Sequence, residues 1–240
     1  MRTALFVSPH LDDVAFSCGG LAALLADRGW HTVLLTVFTK SVAQPTGFAL
    51  ACQLDKGLPA DADYMAIRRE EDLRAAAILS FAAIHWLDLP EAPHRGYETA
   101  AELFGAVRSQ DTIAGAVLAG LSGFSPDLVL APQCLGNHVD HQLVAYGTQQ
   151  CFAPGKVTLY RDTPYAMRQP QPDLAKCGQT IDIAAALDRK IAASCAYTSQ
   201  IDFQFGGAQA CAQALAGFAL REGGGVPAER FAGAAIPARD

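Results

Sequence analysis

Short apolar runs alternate along this chain with longer stretches of mixed polarity, the pattern of strands and helices taking turns. Residues 3–7 form an unbroken apolar run rather than an alternating one, as expected of a strand covered on both faces. Thr32 to Phe38, rich in Val, Leu and Thr, predicts a second strand, and AIHWLDLP, ended by Pro90, a third. DLVLAP after Pro126 predicts a fourth, and KVTLYR (156–161) a fifth. Between them, helices are predicted over Gly19 to Arg28 with Gly29 as its stop, and over 67–80, capped by Asp61 or Asp63. Further helices are expected over Thr99 to Leu121, from near His138 through HQLVAYGTQQ, over Asp182 to Tyr197 and over Ala208 to Arg221. Lys40 to Pro59 shows no period, contains Pro45, Gly47, Gly57 and Pro59, and reads as a long loop of the kind that binds or covers ligands. Strands alternating with helices, with no repeat and no linker, predict one α/β domain over residues 1–240 with a mostly parallel sheet.

Composition narrows the classes. Of the 240 residues 51% are hydrophobic and 18% charged, which supplies a sizeable core and excludes a disordered chain. The formal net charge is −6 without basic clusters, which argues against nucleic acid as the partner. No apolar stretch approaches the roughly 20 residues that a bilayer requires. The amino-terminal apolar segment of about five residues is shorter than a signal-peptide core of roughly 7–15, so a cytoplasmic protein with no membrane span is expected. The seven cysteines (18, 52, 134, 151, 177, 195 and 211) form no CxxC pair, and reduced, mostly buried thiols are expected.

Two clusters carry candidate chemistry. SPHLDDVAFSCGG (8–20) directly follows the first predicted strand, where ligands of open parallel sheets bind. His10 and Asp13 can converge on one ion, and an imidazole with a carboxylate suits Zn²⁺ or Fe²⁺. Asp12 points elsewhere and can take a proton from water bound to that ion. Gly19 and Gly20 lack the surroundings of a dinucleotide or P-loop motif and read as packing glycines. The second cluster, GNHVDHQ (136–142), follows the fourth predicted strand. Either His138 or His141 can reach the same ion, and Asp140 can orient one of the imidazoles. Three ligands with a position left open is the catalytic rather than the structural zinc pattern.

These elements resemble the PIG-L / LmbE-like N-acetylglucosaminyl deacetylases: PH-x-DD with its trailing GG, the later H-x-D-H, and Arg68 and Glu71 as an R-x-x-E helix. YRDTPYA (160–166), AYTSQ (196–200) and AERF (228–231) resemble later landmarks in the same order, and Leu11 stands where many members have Pro. The resemblance implies a Rossmann-like α/β fold and metal-dependent removal of an N-acetyl group from a small-molecule amino sugar or glycoconjugate. It implies His10, Asp13 and His141 as metal ligands, with Zn²⁺ or another divalent ion bound. Asp12 would be the general base, and His138 the acid or electrophile beside the oxyanion, supported by Asp140. Arg68 is expected to contact substrate; Ser199 and Gln200 would touch substrate or cap a helix. Two other readings use the same scaffold: an amidohydrolase for a longer N-acyl chain or non-sugar amide, and a non-catalytic sugar- or nucleotide-binding protein.

Overall fold

The computed structural model describes residues 1–169 and 178–237. Its strands are β1 (Thr3–Ser8), β2 (His31–Thr36), β3 (Ala83–Trp86), β4 (Leu128–Pro132), β5 (Val157–Tyr160), β6 (Gln179–Asp182) and β7 (Ala228–Gly233). They form one sheet in the order β3-β2-β1-β4-β5-β7-β6. The first five members of that order are mutually parallel. β7 runs antiparallel to both β5 and β6. The five expected strands are all present. β6 and β7 were not expected, because QTID and AERFAG offer no apolar run.

Alternate residues of the central strands enter opposite cores. Leu5, Val7, Val33, Leu35 and Val129 pack against α5 (Ala114–Leu121) and α6 (Val139–Cys151) on one face. Ala4, Phe6, Leu34, Leu128 and Leu130 pack against α1 (Asp13–Asp27) on the other. Burial of each large side chain contributes roughly 1.5–3 kcal/mol. Outside α1 lies a helical layer of α3 (Tyr64–Leu79), α7 (Leu187–Cys195), α8 (Thr198–Phe205) and α9 (Ala208–Glu222).

Several expected boundaries are corrected. α1 begins at Asp13, not Gly19, so the carboxylates of the first motif sit at its amino end. The expected loop over 40–59 contains α2 (Gly47–Leu54). The helix expected over 99–121 is broken into α4 (Ala100–Leu103) and α5. Residues 182–197 begin as the end of β6, pass through a 3-10 turn over Ala184–Ala186 and become α-helical at Leu187. α8 was not expected at all. α3 starts as predicted, with the Asp63 carboxylate accepting the Ala66 N–H at 2.9 Å.

The glycine pair does serve packing: a Cβ on Gly20 would meet the Ile183 side chain at 2.8 Å. The partner is thus the turn before α7, while the Gly20 and Leu21 amides donate to Glu229 at 2.9 and 2.8 Å. Lys190 Nζ neutralises that buried carboxylate at 2.7 Å, which ties α7 and β7 to α1. The described cysteines are free, but only Cys18 and Cys211 are buried; Cys52, Cys134, Cys151 and Cys195 are half-buried, and Cys177 lies outside the described residues. Among the described residues no helix is long and apolar enough to cross a membrane.

The chain leaves β1 toward β2 on one side, while β4 lies on the other. Loops at the carboxyl ends of β1 and β4 therefore diverge and leave a crevice, the usual ligand site of an open α/β sheet. Both sequence clusters open onto it.

Candidate active site

The turn after β1 is set by its own hydrogen bonds. Ser8 Oγ donates to the His10 carbonyl at 2.6 Å, and the His10 N–H donates to Asp13 Oδ2 at 2.8 Å. After β4 the chain turns through Asn137 at φ 57° into His138, the residue that caps α6. Gly136 is required there, since a Cβ would fall 2.4 Å from the Tyr165 ring. These two turns bring together residues more than a hundred positions apart.

Asp13 Oδ2 lies 3.3 Å from His10 Nδ1 and 3.3 Å from His141 Nε2. Each ring's other nitrogen meets a further carboxylate: His10 Nε2 lies 2.9 Å from Asp140 Oδ2, and His141 Nδ1 lies 2.6 Å from Asp162 Oδ1. Imidazoles that bind metal are commonly anchored in this way through the nitrogen facing away from the ion. Among the described residues the buried His141 Nε2 finds no hydrogen-bond partner, despite its closeness to Asp13. A cation would give it a partner. The ligating atoms of His10, Asp13 and His141 lie within 4.8 Å of one another, so the donor set fits a divalent ion. His10, His138 and Asp140 meet the same distance test. In that second set Asp140 already accepts from Arg95 and the Ala92 amide as well as facing His10, and His138 has only Nε2 to offer, since its Nδ1 accepts the Asp140 N–H at 3.2 Å.

The electrostatics follow from burial and partners. Burial pushes the Asp12 carboxyl up, the Arg68 guanidinium partly offsets this, and the result is about 7. Burial also opposes ionisation of Asp13, but His141 and His10 hold it well below the usual carboxylate range. Burial works against charge on His10, yet hydrogen bonds to Asp13 and Asp140 raise it to about 9. His141 is likewise raised by Asp13 and Asp162 against the cost of burial. His138 has no such anchor: burial lowers it to about 3 and leaves a neutral imidazole. With Nδ1 accepting a backbone N–H, its proton resides on Nε2.

Asp12, 4% exposed, does diverge from Asp13: Oδ1 pairs with Arg68 Nη2 at 3.2 Å and Oδ2 accepts from Gln204 Nε2 at 3.3 Å. Arg68 also donates to the Leu11 carbonyl and to Glu91. Glu71 instead anchors the start of α8, accepting from Thr198 Oγ1, the Ser199 N–H and Ser199 Oγ at 2.7–2.8 Å. Asp140 orients His10 and not His138 through its carboxylate, because its place on α6 aims it back across the crevice. Ser199 caps through Glu71, whereas Gln200 lines the cavity.

That cavity has a volume of about 270 Å³ and holds His10, Asp12, Asp13 and His138 at its floor. Its walls include Phe48, Lys56, Tyr64, Phe104, Tyr165 and Phe203. Sequence reasoning missed Glu91 and Arg95, which carry no motif, whereas the α2 wall lies in the 40–59 stretch read as ligand-covering and α8 starts within the AYTSQ landmark. Asp162 was within reach, since it sits inside the singled-out YRDTPYA stretch.

Residues 5–152, which contain both clusters, match the PIG-L family, described as GlcNAc-PI de-N-acetylase. This chain is a PIG-L family member. It is 35% identical over 213 residues to the 2'-N-acetylparomamine deacetylase of Streptomyces fradiae, covering 82% of this chain and 73% of that one. The 2'-N-acetylparomamine deacetylase of Niallia circulans is 30% identical over 188 residues, 68% of each chain. Among solved structures, the zinc-inhibited form of teicoplanin deacetylase Orf2 shares the fold with a TM-score of 0.76. It is 23% identical, with 98% of this PIG-L chain and 100% of that chain covered.

Proposed function

We propose that this PIG-L protein is a divalent-metal-dependent N-deacetylase that hydrolyses the acetamide of an amino sugar or glycoconjugate, and that residues 1–240 form one such domain. The observation that carries this reading is the buried His141 Nε2, without a hydrogen bond among the described residues, facing Asp13 close to His10, with Asp13, His10 and Asp12 all lining one cavity. Two relatives named as deacetylases of an acetylated amino sugar support the substrate class. His10, Asp13 and His141 would hold the ion, Zn²⁺ or Fe²⁺. A bound ion of this kind lowers the pKa of water toward about 7 and polarises an acetyl carbonyl.

The remaining work falls to the chain. Asp12, whose acidity is brought near neutrality, accepts the proton of the attacking water and returns it to the departing amine. Arg68 and Gln204 hold its two oxygens, so the base is aimed before substrate arrives. Arg68 also lines the cavity and is placed to meet a substrate hydroxyl. His138 donates Nε2–H to the developing oxyanion as a neutral imidazole; a cationic acid is disfavoured by its burial. Asp140 supports His10 by accepting its Nε2–H.

The reading is tested by incubating the metal-loaded protein with a panel of N-acetylated amino sugars, 2'-N-acetylparomamine included. Free amine and acetate are expected in equal amounts, and a panel that yields neither sinks the proposal. Phe48, Leu103, Phe104 and Phe203 on the cavity wall favour a second reading, a longer acyl chain, which a series of acyl lengths decides. His138→Ala removes one oxyanion donor and is expected to lower kcat by about 10²–10³ with KM and bound metal little changed. A fall of less than threefold would remove His138 from the reaction.

A further inference from the structure

The metal centre rests on more than its ligands. His10 belongs to the turn after β1, and its Nε2 is fixed by Asp140, which is wholly buried. Asp140 is itself held by a residue from outside every motif. Arg95 Nη2 donates to Asp140 Oδ1 at 2.7 Å, while Oδ2 faces His10 and accepts the Ala92 N–H at 3.1 Å. The two oxygens therefore have separate tasks. The guanidinium is aimed by a fork onto Asp111: Nε lies 3.2 Å from each carboxylate oxygen, and Nη2 lies 3.0 Å from Oδ2. Its Nη1 donates to the Pro90 carbonyl at 2.7 Å, and Tyr97 Oη donates to Asp111 Oδ2 at 3.0 Å. The planar group lies over the Phe38 ring at 4.9 Å. A lysine cannot reproduce this fork.

We infer that Arg95, aimed by Asp111, is a positioning residue for the metal centre: it locks Asp140 so that His10 presents Nδ1 to the ion. The inference rests on the metal site proposed above. Without Arg95, Asp140 keeps His10 and the Ala92 N–H on Oδ2, while Oδ1 loses its partner and the carboxylate is held at one oxygen only. The His10 ring then samples orientations in which Nδ1 leaves the space shared with Asp13 and His141. Partners of this outer kind commonly change metal affinity 10–100-fold.

The test compares wild type, Arg95→Gln, Arg95→Lys and Asp111→Asn as full chains, prepared metal-free. Competition with a chromogenic chelator gives the Zn²⁺ dissociation constant, and thermal melting of the metal-free protein reports the fold independently. The expected result is a dissociation constant raised about 10–100-fold by Arg95→Gln and less by Arg95→Lys and Asp111→Asn, with the metal-free proteins still melting cooperatively, Arg95→Gln at a lower temperature because Asp140 and Asp111 lose their buried cation. A folded Arg95→Gln with wild-type affinity overturns the inference alone. Should Arg95→Gln not fold, Asp111→Asn decides: a weakened constant supports the inference and an unchanged one overturns it. Wild type with no affinity for Zn²⁺ overturns the metal reading itself, and this inference with it.

Discussion

Asp12→Asn is expected to lower acetate release by about 10²–10⁴ while leaving the bound metal and the melting temperature close to wild type. Asparagine matches aspartate in shape, and its amide oxygen can still accept from Arg68, whose Nη2 lies 3.2 Å from Asp12 Oδ1. The ability to take a proton is lost, together with the charge facing Arg68 and the oxygen that accepts from Gln204, while Arg68 keeps its bond to Glu91. The substitution also removes a carboxylate whose ionisation is opposed by burial and by Asp13, so it carries no great cost in stability. A glutamate at the same position would test reach, since it keeps the chemistry and displaces the oxygens. Steady-state turnover together with elemental analysis checks both. Turnover of Asp12→Asn within a few-fold of wild type would assign the base elsewhere.

Removal of the metal is the other large effect. Wild type stripped with a chelator is expected to fall to background activity and to recover when a divalent ion is returned; Zn²⁺ and Fe²⁺ are the first to compare. His141→Ala is expected to retain less than a tenth of wild-type metal and to be inactive even with added ion. It also leaves Asp13 and Asp162 buried without the ring that faces both, which is expected to cost about 3–5 kcal/mol. Elemental analysis and urea unfolding separate loss of metal from loss of fold. Full turnover from protein shown to be metal-free would end the metal-dependent reading.

The sequence made the centre of this fold legible because buried parallel strands are continuous apolar runs, and DLVLAP is nearly all apolar. It made the candidate ligands legible because a turn after a strand places nearby polar residues on one crevice. The edges were harder. AERFAG becomes a strand through Glu229 and Arg230, whose charges are buried against Lys190 and Glu222, a pairing invisible in the local pattern. α2 hides between Gly47 and Gly57 and is too short for its period to stand out. The break in the helix expected over 99–121 follows from side-chain tasks: Arg108 pairs with Glu102, and Asp111 binds Arg95. Asp140 was read toward the wrong imidazole, since spacing along a helix gives neighbours but not what lies across the crevice. Arg95 was invisible for the same reason.

The outer wall of the cavity is drawn from α2 with Lys56 and from the end of α8, far in sequence from the turns that supply the reactive groups. Lys56 Nζ sits 5.0 Å from the Phe203 ring centre, so these two distant segments lean on each other, and α8 reaches the floor through Gln204. Recognition and reactivity are thereby separable along most of this wall but not at Gln204, which also holds Asp12. Residues 47–56 and Phe203 can change to admit a different substrate while the groups around Asp12 stay as they are.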